Sequence, residues 1–178
     1  LNAYERMSEA VVTAIPEHIK DAYPKARMMQ RKFVLHIGPT NSGKTFTALQ
    51  KFREAHEAAY LAPLRLLALE VYENTNAEGV ECSLLTGEEE AIVNGASHVS
   101  ETIEMADLGK HYDVAVIDEC QMIADESRGG AWTAAILGLC AEEIHICMAP
   151  NAEDIVKSLI EYCGDEIVDI DRKERMTH

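Results

Sequence analysis

Basic side chains are scarce: Lys and Arg number 16 against 31 Asp and Glu, for a formal net charge of −15. A nucleic-acid binder ordinarily carries a basic footprint, and an acidic whole does not recommend one. A local basic groove, Mg²⁺ or a further domain would have to supply the missing charge. Zinc-type spacing is absent as well. Cys82, Cys120, Cys140, Cys147 and Cys163 are odd in number and never form C-x-x-C, which argues for a reducing interior and against zinc. The seven histidines include no H-E-x-x-H, so core or surface roles are expected of them. No uninterrupted apolar run approaches about 18 residues, so no membrane span is expected. The N-terminus, Leu1-Asn2-Ala3-Tyr4-Glu5-Arg6, reads as neither a signal peptide nor an Arg-rich transit peptide. It lacks an initiator Met, and Lys173-Glu174-Arg175-Met176-Thr177-His178 carries no closing element, so a piece of a longer protein is expected. The 178 residues suit one domain with a proper core rather than two large ones.

What is present centres on Gly38-Pro39-Thr40-Asn41-Ser42-Gly43-Lys44-Thr45, which fits the phosphate-loop pattern G-x-x-x-x-G-K-[ST]. The two glycines let the backbone curl until successive N–H groups face one anion. Lys44 then reaches the outer phosphates, and the Thr45 hydroxyl can hold Mg²⁺. The apolar run Lys32-Phe33-Val34-Leu35-His36-Ile37 precedes the loop as a buried strand would. Phe46, Leu49 and Phe52 follow at helical spacing, so the loop feeds a helix N-terminus, where the dipole favours phosphate. A nucleoside triphosphate or diphosphate is the expected ligand.

Residues 1–31 read as a helical lead-in, with Met7, Ala10, Val11 and Ala14 on one face. Pro16 is expected to open a second short helix carrying Ile19 and Tyr23, and Pro24 to break it. From residue 32 short apolar runs alternate with helical patterns. Ala58–Ala62 is a strand closed by Pro63, and Leu64, Leu67, Ala68 and Val71 make the next helix. Residues 80–85 read as a strand ending at Thr86-Gly87, followed by a solvated loop or edge at Glu88-Glu89-Glu90. Asn94-Gly95, flanked by short apolar runs, predicts a hairpin turn. Val114-Ala115-Val116-Ile117 is continuous and β-branched, as a strand buried on both faces requires. Trp132–Leu139 reads as a helix, Ile144–Met148 as a strand, and Ile155, Val156, Leu159 and Ile160 mark a helix that Asn151 is expected to cap. Glu166 to Ile170 ends the pattern. Strands alternating with helices predict an α/β fold: a mainly parallel sheet with helices on both faces. Ligands then sit beyond the carboxyl ends of the strands, where the phosphate loop, Pro63–Arg65, Thr86-Gly87 and Asp118–Gln121 converge.

Asp118-Glu119-Cys120-Gln121 directly follows the most strand-like run. Asp118 is placed to hold Mg²⁺ through water opposite Thr45. Glu119 is placed to polarise an attacking water, which is a poor nucleophile until oriented and relieved of a proton. Gln121 could sense the γ-phosphate or bond to a neighbouring domain.

These motifs together resemble superfamily-two helicases. The resemblance rests on the phosphate loop, Pro63-Leu64-Arg65-Leu66-Leu67-Ala68, Thr86-Gly87-Glu88-Glu89, Thr102-Ile103-Glu104-Met105 and Val116-Ile117-Asp118-Glu119-Cys120-Gln121-Met122-Ile123. Within that superfamily the chain is most similar to the Suv-three-like RNA helicases of the mitochondrial degradosome and their bacterial relatives. Arg128–Thr133 and residues 137–143 match that family too, so the likeness covers about residues 22–175. It implies a three-layer RecA-like phosphate-loop NTPase domain at residues 32–171, with ATP and Mg²⁺ as cofactors. Residues 172–178 would begin a linker to a second RecA-like domain. Gly38, Pro39, Thr40, Asn41, Ser42, Gly43, Lys44 and Thr45 would hold the nucleotide, Thr45 and Asp118 the metal, and Lys44, Glu119 and Gln121 would act in hydrolysis. Pro63, Leu64, Arg65, Thr86, Gly87 and Thr102 would grip single-stranded RNA (or DNA) by its backbone. The second RecA-like domain, in cis, would supply an arginine finger, and an exoribonuclease would be a degradosome partner. Such a protein works inside the cell, in the cytoplasm or, in a eukaryote, in the mitochondrial matrix.

The sequence departs from the pattern: the usual Ser-Ala-Thr of motif III is Met148-Ala149-Pro150, with no hydroxyls to relay the nucleotide state, and Gln30 lies too close upstream of the phosphate loop for a DEAD-box Q motif, so no adenine contact is assigned to it. Two rival readings remain open. Thymidine-kinase-like phosphotransferases pair a similar loop with Asp-Glu-x-Gln, but usually add a C-x-x-C zinc site and a lasso that are missing here. A non-catalytic module binding nucleotide and RNA as half of a cleft is the other.

Overall fold

The computed structural model describes residues 19–174. Eight strands form one sheet in the order β4-β3-β5-β2-β6-β7-β1-β8. They are β1 (Lys32–Ile37), β2 (Ala58–Ala62), β3 (Cys82–Leu85), β4 (Glu90–Ala91), β5 (His98–Thr102), β6 (His111–Ile117), β7 (Cys140–Met148) and β8 (Glu166–Arg172). Every pairing is parallel except that of the two-residue edge strand β4 with β3. Five α-helices accompany them among the described residues: α1 (Pro24–Arg27), α2 (Lys44–Glu54), α3 (Arg65–Ala77), α4 (Gly129–Gly138) and α5 (Glu153–Cys163).

The central strands are buried on both faces, which is why they read as continuous apolar runs. Their period of two divides the core. Phe33, Leu35, Ile37, Ala59, Leu61, Ala115 and Ile117 face α4 and α5, meeting Trp132, Ile136, Val156 and Leu159. Ala58, Tyr60, Ala62, Val114 and Val116 face α2 and α3, meeting Phe52, Ala68 and Val71. The sheet is thus covered on both sides, as expected of the α/β reading. At the amino end of β1 the buried Arg31 guanidinium donates to Asp165 at 2.6 Å and to the Leu139 carbonyl at 3.1 Å. These bonds tie the start of β1 to the elements flanking it.

Three local expectations fall differently. Asn94-Gly95 does turn the chain, with Gly95 at φ +77°, but no hairpin forms. The segment after it becomes β5, an internal strand parallel to β2 and β3. Burial of His98, Ser100 and Glu101 between neighbours outweighs the local turn signal. The short helix carrying Ile19 is a 3-10 turn over Ile19–Ala22 that ends before Pro24, but Pro24 also opens α1, where its missing N–H costs nothing. Asn151 is not the cap of α5. A 3-10 turn over Pro150–Ala152 leads in, and Ala152 takes the cap position. The first expected helix and Pro16 lie outside the described residues.

Candidate active site

The carboxyl ends of β1, β2, β3, β5, β6 and β7 open onto one rim, and the sequence motifs lie along it. Gly38–Thr45 leaves β1 and runs into α2. Two residues of the loop adopt left-handed backbone, Asn41 at φ 63° and Gly43 at φ 82°. That curvature is open to Gly and tolerated by Asn. A side chain at Gly38 would meet the Lys173 carbonyl at 2.9 Å, so the loop's start has room only for hydrogen. No side chain caps α2, so its first N–H groups remain for an anion. The Ser42 hydroxyl is buried without a hydrogen-bond partner among the described residues. Lys44 is likewise buried, its ammonium folded back onto the Pro39 carbonyl at 3.0 Å. These are the donors a polyphosphate would take.

Asp118, at the end of β6, meets this loop. Its Oδ1 accepts from the Thr45 hydroxyl at 3.2 Å and from the Glu119 N–H at 2.9 Å. Its Oδ2 accepts from the Tyr60 hydroxyl at 2.6 Å. Burial pushes the Asp118 carboxyl up from its ordinary pKa, and the Tyr60 bond is the strongest influence holding it down. Tyr60, itself raised by burial and by Asp118, stays protonated and donates to that carboxylate. Two hard oxygens this close, beside an anion cradle, suit a small divalent cation that completes its shell with water and phosphate.

Glu119 sits at φ 50°, a left-handed conformation uncommon outside Gly and Asn. Such strain, of the order of 1–3 kcal/mol, clusters where geometry matters to chemistry. It turns the chain sharply after Asp118. Gln121 then closes a bridge: its amide NH₂ donates to the Glu119 carboxylate, and its Oε1 accepts from the Ala149 N–H at 3.1 Å. Met148-Ala149-Pro150 carries no hydroxyl, and the Gln121 side-chain amide bonds to its main chain. Gln121 therefore bonds within the domain.

Pro63, Leu64, Arg65, Thr86, Gly87 and Thr102 line a single groove of about 330 Å³, joined there by Glu88, Glu104, Met105 and Arg128. The loops singled out in the sequence thus share one groove, and four of its lining residues were not among those expected. Arg65 is not free in the groove: it pairs with Glu88 at 3.3 Å and Glu89 at 3.0 Å. The Thr86 hydroxyl is occupied in its own turn, accepting from Glu89 N–H at 3.0 Å. Tyr60 and Trp132 were also missed. Tyr60 is the one side chain with a polar atom in β2, and Trp132, fully buried, donates its indole N–H to the Asp118 carbonyl at 3.0 Å. A polar tip on a buried aromatic needs a partner, and that is the signal that could have found both.

The family model for the DEXQ-box helicase domain of Suv3 matches residues 19–171. The chain belongs to this family. An ATP-dependent RNA helicase of Homo sapiens, SUPV3L1, mitochondrial, is 56% identical over 149 residues, which is 82% of this chain and 19% of that protein. The Arabidopsis thaliana DExH-box ATP-dependent RNA helicase DExH18, mitochondrial, is 56% identical over 147 residues, 83% of this chain and 19% of that protein. The chain therefore spans about a fifth of the length of these relatives. Among solved structures, the Pyrococcus furiosus Hef helicase domain aligns with a TM-score of 0.52 at 15% identity, over 95% of this chain and 40% of that one. Saccharomyces cerevisiae Dbp5, solved with Nup159, Gle1, IP6 and ADP, gives 0.52 at 16% identity, over 96% and 52%. At such identities the likeness speaks for the fold, which is RecA-like. The thymidine-kinase-like alternative has no support from family or fold. No helix among the described residues is long and apolar enough to cross a membrane.

Proposed function

We propose that this DEXQ-box domain is the first RecA-like half of an ATP-dependent RNA helicase, binding Mg²⁺-ATP on its rim and gripping single-stranded RNA in the adjoining groove. The observation that carries the reading is the 3.2 Å contact between Thr45 and Asp118 beside the buried, phosphate-ready Lys44. In that reading residues 32–171 are the motor domain and residues 1–31 a lead-in. Residues 172–178 open the path to a second RecA-like domain in cis. The mitochondrial relatives favour a mitochondrial setting in a eukaryote and a cytoplasmic one otherwise. An exoribonuclease partner in a degradosome follows from the same resemblance.

The residues divide the work. Main-chain N–H groups of residues 38–45 and the Lys44 ammonium take the β- and γ-phosphates, with Lys44 exchanging the Pro39 carbonyl for phosphate oxygen. Thr45 and Asp118 would hold Mg²⁺, which when bound neutralises charge on the phosphate oxygens. Glu119 orients a water in line with the γ-phosphorus and accepts its proton as the P–O bond to the leaving diphosphate breaks. Such general-base help is worth about 10²–10⁴ in rate. Gln121 holds the Glu119 carboxylate at the angle this needs and ties it to the end of β7. An arginine finger from the second domain would stabilise the transition state, an effect of about 10³–10⁵. The domain alone is therefore expected to bind ATP weakly and hydrolyse it slowly.

Calorimetry with Mg²⁺-ATP tests the reading directly. A dissociation constant at or below the millimolar range, weakened about tenfold or more in Lys44→Ala, is the expected result. A flat trace at millimolar nucleotide overturns it, as does brisk turnover by the isolated chain that Lys44→Ala abolishes.

A further inference from the structure

We propose that Arg128 is a positioning residue that carries the state of the groove to the metal-binding end of β6. The proposal rests on the reading of the groove as a nucleic-acid site. Arg128 lines that groove at the start of α4. One arm of its guanidinium donates to the Pro63 carbonyl at 2.7 Å, fixing the loop after β2. Another donates to Glu104 at 2.8 Å, fixing the turn after β5. Its flat face lies over Trp132, 5.2 Å from the ring centroid. The indole in turn donates to the Asp118 carbonyl at 3.0 Å. Two rim loops therefore meet on Arg128, and Trp132 beneath it reaches the β6 end.

The contacts differ in how easily they yield. The Arg128–Glu104 pair is partly exposed on both sides, and ion pairs in such surroundings are weak. A phosphodiester in the groove offers the same guanidinium two oxygens in matching geometry, so it can replace Glu104 at little cost. The Trp132–Asp118 bond is fully buried and does not yield. A guanidinium drawn toward the groove shifts against a fixed indole, and the shift arrives at the main chain that carries Asp118. Lysine cannot stand in, because it has neither the flat face nor the fork that reaches Pro63 and Glu104 together.

Trp132 is the single tryptophan of the chain, so its emission reports on this junction without labelling. The experiment titrates the chain with a ten-nucleotide oligouridylate and measures mant-ATP–Mg²⁺ affinity with and without it. In the wild type, oligouridylate is expected to change Trp132 emission and alter nucleotide affinity about fivefold. Arg128→Lys is expected to bring that affinity ratio close to one and to remove the emission change. The ratio cancels any uniform loss of binding or of folded protein. Trp132→Phe, which keeps an aromatic face but not the N–H, is expected to lose the coupling as well by the affinity ratio, and Glu104→Gln to keep it with tighter oligouridylate binding. Full coupling in Arg128→Lys overturns the proposal while leaving the groove reading intact. A wild type that binds mant-ATP but no oligouridylate overturns both.

Discussion

The Tyr60 hydroxyl donates to Asp118 Oδ2 across 2.6 Å, from a strand whose other side chains are alanines and one leucine. Tyr60 is thus the side chain of β2 that bonds to the Asp118 carboxylate, while the Leu61 carbonyl takes the Asp118 N–H at 3.1 Å. It counters the burial that pushes the Asp118 carboxyl toward its protonated form. Removing the hydroxyl in Tyr60→Phe leaves Asp118 with fewer donors, so its pKa rises further. The pH midpoint of Mg²⁺-dependent mant-ATP binding is expected to move upward, and the fold to lose about 1–2 kcal/mol by urea denaturation. A midpoint that stays put or falls would mean that Tyr60 does not tune this carboxylate.

Gln121 spans from the Glu119 carboxylate to the Ala149 N–H, joining the proposed base to the end of β7. Its loss should separate hydrolysis from binding. In Gln121→Ala, single-turnover ATP hydrolysis is expected to fall about tenfold or more while mant-ATP affinity changes less than threefold. In Glu119→Gln the fall is about 10²-fold or greater. Equal losses in rate and affinity for Gln121→Ala would place the residue against the nucleotide rather than behind Glu119.

The sheet, its parallel sense and the site loops were legible because buried parallel strands write themselves as unbroken apolar runs, as in β1, β2 and β6. The phosphate loop and Asp118-Glu119 were legible for a related reason: their chemistry fixes residue type and spacing within a few positions. What could not be read was long-range. β5 carries His98, Ser100 and Glu101, polar residues that ordinarily argue against an inner strand. His98 and Ser100 are accommodated by partners distant in sequence: His98 meets the Phe52 carbonyl at 2.8 Å and Ser100 donates to the Ala68 carbonyl at 2.7 Å. The pairing of Arg65 with Glu88 and Glu89, and of Arg128 with Pro63, likewise depends on which loops the topology makes neighbours.

Glu101 also gives a pH signature. It is buried in β5, with Oε1 lacking a hydrogen-bond partner among the described residues. Burial first, then the nearby Asp107, pushes its pKa up from 4.5 to about 8. Between those values the folded chain holds a proton that the unfolded chain has released. Stability present at low pH is therefore lost as pH rises from about 4.5 to about 8, by at most about 1.4 kcal/mol per pH unit. Glu101→Gln removes this slope. The variant should gain on the wild type steadily through that window and run parallel above it, as followed by urea midpoints at several pH values. Parallel curves throughout would show that Glu101 keeps its charge in the fold.

Gly129 opens α4 against the 3-10 turn Cys120–Ala124, the turn that carries Gln121. A side chain there would run into the Ile123 carbonyl, and the Met122 carbonyl lies only 3.2 Å from the same point. Main-chain atoms cannot rotate aside as a flexible side chain can, so Gly129→Ala must push α4 off the turn. Overpacking of this kind costs about 1–3 kcal/mol. The displaced turn also carries Gln121 out of register with Ala149, so hydrolysis should fall along with the urea midpoint. Gly130→Ala is the control, since its added carbon meets nothing within 4 Å and alanine favours the helix. If the two alanine variants behave alike, tight packing at residue 129 is not what seats the turn behind Glu119.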